Sequence, residues 1–187
     1  MKLDKKIFII TGPSAVGKNA IIDELFKTCL PIQRMATMTS RKRRKGDKKD
    51  EYHFVSREKF QKYVDDDAMI EWVEYNNNLY GTRKSDLEAI FKAGKHPIMD
   101  IDVRGVEFFK KNFDNIVSVF ILPSSMSILR KRLEKRGTPE KDIRDRLKTA
   151  NSEIKQAPKF DYRVINYDGK LKNVTKEVAD IVTKEIS

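Results

Sequence analysis

Short apolar runs alternate with amphipathic stretches along most of this chain. Residues 7–10 and 116–122 are nearly continuous runs of β-branched and aromatic side chains, which is typical of strands buried on both faces. Between such runs, apolar residues recur at helical spacing, as at Leu87, Ile90 and Phe91. Strands that alternate with helices predict a parallel sheet flanked by helices, and therefore an α/β fold.

One part of the chain breaks this alternation. Residues 34–82 contain several short strand patterns in succession, with a single strand predicted over residues 32–39. We therefore expect an inserted lobe of antiparallel character. After the strand at residues 116–122, two helices are predicted in succession, at residues 125–135 and from 140 to about 157.

A glycine-rich loop follows the first buried strand. Gly12, Gly17 and Lys18 have the spacing G-x-x-x-x-G-K, and an amphipathic helix comes next. Glycines let the backbone turn so that its N–H groups converge on phosphate oxygens, while the lysine and the helix N-terminus add positive charge. The pattern indicates a phosphate-binding loop, in which Asn19 takes the place of the usual Ser or Thr.

A second candidate lies in residues 97–102, a predicted buried strand that ends in two acidic residues. Asp100, in a chain with a phosphate-binding loop, suggests a carboxylate near Mg²⁺. A plain turn at the end of a strand explains the same residue equally well.

Composition and charge limit the class of protein. The 187 residues are 39% hydrophobic and 36% charged, as in a folded globular domain, and no segment is long and apolar enough for a membrane span. The N-terminus leads straight into a strand, without a signal-peptide pattern, and Cys29 stands alone; both favour the cytoplasm. The net charge of +11 is densest at residues 41–45, which could bind nucleic acid or a small phosphorylated ligand.

Taken together, several sequence blocks resemble the guanylate kinases. The similarity runs from about residue 5 to 185, and the blocks occur in the order found in that family. They are the loop at residues 12–18, Thr39–Asp47, Ile70–Trp72, Tyr80–Thr82, Asp100–Asp102, Arg132–Gly137 and Val164–Asn166.

The resemblance implies a fold and a division of the chain. It implies a P-loop NTPase-like parallel sheet flanked by helices, with a small mixed or antiparallel GMP-binding lobe and a helical lid. Residues 1–187 would form a single guanylate-kinase-like domain. Its core would comprise residues 1–33, 83–124 and 158–187, its GMP-binding lobe residues 34–82 and its lid about residues 125–157.

The resemblance also implies an activity, Mg²⁺-dependent transfer of the γ-phosphoryl group of ATP to GMP, and roles for individual residues. The catalytic residues would be Lys18, Arg132, Arg136 and Arg146, with Asn19 and Asp100 as metal ligands. ATP would be held by Gly12, Pro13, Ser14, Ala15, Val16, Gly17, Lys18, Asn19 and Asn166, with Asn166 near the adenine. The GMP phosphate would be held by Arg41, Arg44, Tyr52 and Tyr80, and the guanine read by Thr37, Glu71, Thr82 and Asp102.

The chemistry of these side chains agrees with the roles. Guanine presents two donors, N1–H and the exocyclic amine, which suit carboxylates, and a phosphate suits the forked donors of arginine. The expected partners are therefore GMP and ATP, with no nucleic acid and no membrane; the sequence leaves open a monomer or a homo-oligomer.

Two departures from the family pattern matter. Ala15 stands where the family usually has glycine, which a right-handed backbone would tolerate. Asn19 replaces the hydroxyl that normally ligates Mg²⁺ with an amide of different reach. The alternative hypothesis is therefore a catalytically weak guanylate-kinase-like module that binds a nucleotide or a protein. A kinase for another phosphorylated acceptor and an RNA-binding protein are further alternatives.

Overall fold

The computed structural model describes residues 5–43, 47–48, 50–75 and 77–187, with Tyr75 described in its backbone only. The described strands are β1 (Ile7–Thr11), β2 (Ile32–Arg34), β3 (Thr37–Thr39), β4 (Tyr52–Phe54), β5 (Met69–Tyr75), β6 (Asn78–Arg83), β7 (His96–Asp100), β8 (Ile116–Pro123) and β9 (Tyr162–Asn166). The described α-helices are α1 (Lys18–Leu25), α2 (Arg57–Asp65), α3 (Lys84–Lys92), α4 (Val103–Asn112), α5 (Met126–Lys135), α6 (Glu140–Ile154) and α7 (Leu171–Ile186).

These strands form two sheets. Five parallel strands have the order β2-β7-β1-β8-β9 and are flanked by helices, as the alternating pattern predicts. The other sheet has the order β4-β3-β6-β5 and is mixed, because β3 runs parallel to β4 and antiparallel to β6. The predicted fold class is confirmed.

The chain divides into two compact units. The first unit comprises the described residues of Met1–Leu30 and Asp100–Ser187, and the second comprises those of Pro31–Met99. The division into core, lobe and lid that the resemblance implies stays a prediction.

The core of the first unit surrounds β1. All five residues of this strand are fully buried, and Ile21, Ile22 and Leu25 of α1 are buried as well. Helix α7 packs against α1 and buries Val174, Val178 and Val182 on one face. The two central strands β1 and β8 pair in register from Ile7 opposite Ile116 to Thr11 opposite Phe120. This rigid pair carries the loop between β1 and α1.

The single strand predicted over residues 32–39 is wrong. The structure divides it into β2, which pairs with β7, and β3, which pairs with β4 and β6. Met35 and Ala36 lie between the two strands and are 2% and 8% exposed. The apolar pattern continues through the break because the connecting residues are also buried, so the sequence gives no sign of the change of sheet.

No helix in the described ranges combines the length and apolar content that a bilayer span requires.

A buried hydroxyl in β8 is bonded to the carboxylate of the residue that precedes β9. Ser118 in β8 donates to Asp161 Oδ2 through its backbone N at 2.8 Å and its Oγ at 2.7 Å. Lys110 Nζ donates to Asp161 Oδ1 at 2.8 Å. Burial raises the pKa of the Asp161 carboxyl, but these hydrogen bonds outweigh burial and hold its pKa below the ordinary 3.8.

We expect Asp161→Asn to lower the free energy of unfolding by about 1 kcal/mol at pH 7, because hydrogen bonds to a charged acceptor are lost and solvent screens a side chain that is 42% exposed. A carboxyl group whose folded-state pKa is lowered stabilises the protein above its unfolded-state pKa. It loses that contribution as the pH falls through the folded-state pKa. The difference between wild type and variant should therefore shrink below pH 3.8. Urea denaturation between low pH and pH 7 measures this difference in the free energy of unfolding, with Asp114→Asn at an exposed position as control. A difference that persists unchanged at low pH would contradict the assignment.

Candidate active site

The phosphate loop of the first unit connects β1 to α1 and turns at two glycines. Gly12 has φ +132° and Gly17 has φ +109°, both in the region that L side chains rarely adopt. Gly17 is the N-cap of α1, and no side chain caps this helix end. The first N–H groups of the helix are therefore available to a ligand, and the positive end of the helix dipole favours an anion there.

Lys18 follows Gly17, and its side chain folds back over the loop. Its Nζ donates to Gly12 O at 2.8 Å and to Pro13 O at 3.3 Å. Burial lowers the pKa of Lys18, while the nearby carboxylates of Asp100 and Glu153 oppose that shift. A half-buried ammonium group that is held mainly by neutral carbonyl oxygens is well suited to bind an anion.

Ala15 has a left-handed backbone. Its φ is +65°, so the right-handed conformation that would tolerate alanine here is not the one found. The side chain is 7% exposed and forms an apolar cluster with Leu133 of α5 and Ile143 of α6, against which Leu147 packs. The loop is therefore packed directly against both helices of the segment predicted to be the lid.

Two of the three predicted catalytic arginines contact the loop. Arg132 Nη1 donates to Val16 O at 2.8 Å and to Ala15 O at 3.4 Å. Arg146 Nη1 donates to Ser14 Oγ at 3.0 Å. The third, Arg136, ends α5 as its C-cap residue and acts on Lys18 electrostatically. The first unit thus brings several cationic groups together at the phosphate loop.

Asn166 lies at the end of β9 and is 4% exposed. Its Nδ2 donates to Val16 O at 2.8 Å, the carbonyl that Arg132 also contacts. The structure therefore places this residue at the phosphate loop itself.

Asn19 and Asp100 are the predicted metal ligands. Asn19 is the second residue of α1 and its Oδ1 is buried, while Asp100 ends β7 and acts electrostatically on Lys18. Within the part of the chain that the structure describes, no three His, Cys, Asp or Glu side chains come together as a metal site. Mg²⁺ is normally held by one or two protein oxygens together with substrate phosphates. One amide oxygen and one carboxylate fit that pattern.

In the second unit, five of the predicted substrate residues share one face of the four-stranded sheet. Thr37 pairs with Tyr52, and Glu71 pairs with Thr82. The register that pairs Met38 with Gly81 places Thr37 opposite Thr82, so these four residues form a row across the sheet. Tyr80 lies two residues from Thr82 and therefore on the same face.

The opposite face of this sheet is apolar. Met38 and Leu79 pack there with Met69 and with Phe60 of α2, and all four are buried. Side chains alternate between the two faces of a strand. Because the apolar face packs against α2, the polar row lies on the opposite face of the sheet.

Glu71 is held by its neighbour on the adjacent strand. Thr82 is fully buried, and its Oγ1 donates to Glu71 Oε1 at 2.8 Å. By donating its hydroxyl proton, the threonine orients the carboxylate. A carboxylate has several lone pairs and can accept more than one hydrogen bond.

Arg41 follows β3 and is 8% exposed. Its Nη1 donates to Asp47 Oδ2 and to Lys42 O, each at 2.9 Å. Its guanidinium lies 5.1 Å from the ring centroid of Tyr52, a second predicted phosphate ligand. Arg44, predicted to hold the same phosphate, lies outside the described residues.

Asp102 belongs to the first unit and is the N-cap of α4. Its Oδ1 accepts from Gly105 N at 2.9 Å, and its Oδ2 accepts from Arg104 at 3.0 Å. The predicted guanine contact stays a prediction for this residue.

Two further residues near the loop, Glu153 and Asp168, have no role predicted from the sequence. Glu153 lies seven residues after Arg146 on α6, so two full turns place both on one helix face, and that spacing is the signal. Burial raises the pKa of Glu153, while the charge of Lys18 opposes this shift. Asp168 Oδ1 pairs with Arg132 at 3.3 Å, and no motif in the sequence marks it.

Comparison with known proteins agrees with this arrangement. The family model "Guanylate kinase" matches residues 4–185. The guanylate kinase of Prochlorococcus marinus subsp. pastoris is 36% identical over 184 residues, which cover 97% of this chain and 99% of that protein. The guanylate kinase of Thermotoga maritima is 37% identical over 183 residues, covering 96% and 87% of the two chains.

A solved structure shares the fold. The crystal structure of guanylate kinase from Anaplasma phagocytophilum superimposes with a TM-score of 0.75 at 28% identity, covering 97% of this chain and 86% of that one. With the family model matched across nearly the full length, the chain belongs to the guanylate kinase family.

Proposed function

We propose that this chain is an ATP:GMP phosphotransferase that gives ADP and GDP and depends on Mg²⁺. A phosphate oxygen of GMP attacks the γ-phosphorus of ATP, and the bond to the β–γ bridging oxygen breaks as ADP leaves. The observation that carries the proposal is the polar row on the second unit's sheet, in which Thr82 orients Glu71 at 2.8 Å. A carboxylate in such a row supports a guanine nucleotide over other phosphorylated acceptors.

Guanine suits this row because of its hydrogen-bonding pattern. Its N1–H and exocyclic amine are both donors, and one carboxylate can accept from both. Glu71 would take that role, with Thr37 and Thr82 serving the remaining polar atoms and Asp102 as a second acceptor. Adenine offers an acceptor at N1, so a carboxylate placed there would disfavour it.

The phosphate of GMP would be held next to the same row. Arg41, Arg44, Tyr52 and Tyr80 are the proposed ligands. The guanidinium of Arg41 is oriented by Asp47 and by the ring of Tyr52, so little conformational freedom remains to be lost on binding.

ATP would bind at the phosphate loop. The loop N–H groups, Lys18 and the N-terminus of α1 would hold its phosphates, and Arg132, Arg136 and Arg146 would neutralise charge on the transferred group. Arg132 and Arg146 lie on the loop already, bonded to neutral oxygens that a phosphate can replace. Mg²⁺, which Asn19 and Asp100 would hold with the phosphates, supplies charge neutralisation when bound.

We also propose a reducing compartment such as the cytoplasm. The single cysteine, Cys29, is exposed and free, and a reducing environment keeps such a thiol from oxidising.

The proposed acceptor can be tested directly. A coupled ADP-release assay with Mg·ATP should show turnover with GMP that exceeds turnover with AMP, CMP and UMP by at least about 100-fold, the range that polar readout of a base supports. Turnover with none of these acceptors would refute the kinase proposal, and a preference for another nucleotide would refute its specificity.

Glu71→Ala should lose guanine selectivity rather than phosphate affinity. We expect kcat/KM for GMP to fall about 100-fold, because two charge-assisted hydrogen bonds are lost, while the KM for ATP stays unchanged. The matched control is Glu74→Ala on the same strand, where the carboxylate is exposed and pairs with Arg57. An equal loss toward every acceptor would contradict a base-reading role.

Asn19 decides between the kinase and the weak binding module. If its amide oxygen ligates Mg²⁺, Asn19→Ala should raise the Mg²⁺ concentration for half-maximal rate about tenfold, whereas Asn19→Ser should stay close to wild type. The control is the exposed Asn151→Ala on α6. An inactive wild type that Asn19→Ser restores would favour the module, and an unchanged Asn19→Ala would remove Asn19 from the metal site.

A further inference from the structure

One carbonyl group of the phosphate loop is held from two sides. Val16 O accepts from Asn166 Nδ2 and from Arg132 Nη1, each at 2.8 Å. A carbonyl oxygen has two lone pairs, so these two donors are sufficient to satisfy it. The donors come from separate elements, the end of β9 and the last turn of α5.

This carbonyl belongs to the peptide that precedes the turn into α1. A peptide group is planar, so fixing the direction of Val16 C=O also fixes the opposite direction of Gly17 N–H. Gly17 has φ +109°, and a β-carbon on it would lie 2.7 Å from Asn166 Nδ2. The amide of Asn166 is thus packed against the glycine at the helix N-cap, where a phosphate-binding loop directs its N–H groups at the anion.

The two donors differ in what else they do. Arg132 also pairs with Asp168 at 3.3 Å. Its guanidinium is proposed to contact the transferred phosphoryl group and neutralise the charge there. Asn166 is neutral, so it cannot neutralise the charge of a phosphate. Its side chain is 4% exposed, so it has little room to change its conformation. When Arg132 turns to the substrate, Asn166 keeps the Val16 carbonyl bonded.

We infer that Asn166 is a positioning residue for the phosphate loop: its amide holds the Val16–Gly17 peptide in the orientation that binds a triphosphate. The inference rests on the proposed ATP-binding role of the loop. It differs from a contact with adenine, because a residue that acts through the loop must affect every polyphosphate, with or without a base.

A ligand without a base separates the two roles. Calorimetric titration with ATP and with inorganic tripolyphosphate, both with Mg²⁺, is carried out on wild type, Asn166→Ala and Asn166→Asp. We expect Asn166→Ala to weaken both ligands by a similar factor of about tenfold, the effect of one lost hydrogen bond. Asn166→Asp should weaken both further, because it sets a carboxylate against the Val16 carbonyl oxygen.

The control variant is Asn173→Ala, an exposed asparagine in the first turns of α7, which should bind both ligands as wild type does. Thermal unfolding identifies any variant that fails to fold. Asn166→Gln keeps an amide donor, so it should recover part of the tripolyphosphate affinity that Asn166→Ala loses. Steady-state kinetics should show a raised KM for ATP with the KM for GMP unchanged, a split that general destabilisation does not produce.

The outcomes are distinct. A loss of ATP affinity with tripolyphosphate affinity intact would overturn the inference and assign Asn166 to the adenine. Unchanged affinity for both ligands, or a wild type that binds neither, would also overturn it. A wild type that binds tripolyphosphate but does not phosphorylate GMP would refute the proposed function, and the binding comparison would still decide the role of Asn166.

Discussion

The phosphate loop lies so close to strand β8 that its first glycine has no room for a side chain. A β-carbon on Gly12 would lie 2.4 Å from Ile121 O, and the φ of +132° would strain any L residue there. This close approach places the loop against β8, the strand that pairs with both β1 and β9. Everything that later touches the loop, from α5, α6 and β9, follows β8 in the chain. The close approach at Gly12 therefore holds the loop beside the elements that supply Arg132, Arg146 and Asn166.

The loop is held in shape by its neighbours more than by its own preferences. Ala15 in the left-handed region costs about 1–2 kcal/mol, and burying its methyl group against Leu133 and Ile143 returns about 0.8 kcal/mol. Hydrogen bonds from Arg132 and Arg146 offset the remainder. The same arginines are proposed to meet the phosphoryl group, so catalysis would draw on contacts that also stabilise the loop. A neutral third contact, from Asn166, lets the arginines move without releasing the loop.

The sequence predicts the structural features that depend on local patterns of residues. It does not predict those that depend on contacts between residues distant in the chain. The loop, the alternation of strands and helices and the amphipathic sheet of the second unit all follow from spacing. The split between β2 and β3 does not, because Met35 and Ala36 are as buried as the strands beside them. The backbone of Ala15 does not either, since packing on α5 and α6 overrides its intrinsic preference. Glu153 gains its importance from Lys18, which is 135 residues away in the chain, so only the fold reveals it.

The two units compensate their cations differently, and this difference has a chemical consequence. In the first unit, Lys18 and Arg146 donate to carbonyl and hydroxyl oxygens of the loop, and Arg132 does so through Nη1 while its Nη2 pairs with Asp168. A phosphate displaces such neutral acceptors readily, because a charged acceptor forms the stronger hydrogen bond. In the second unit, Arg41 donates to the carboxylate of Asp47 through a single nitrogen. A guanidinium has five N–H donors, so Asp47 fixes the direction of the group and leaves donors for an anion. In the first unit, the cationic side chains can therefore exchange loop oxygens for a phosphate. In the second unit, the guanidinium is already oriented before an anion binds.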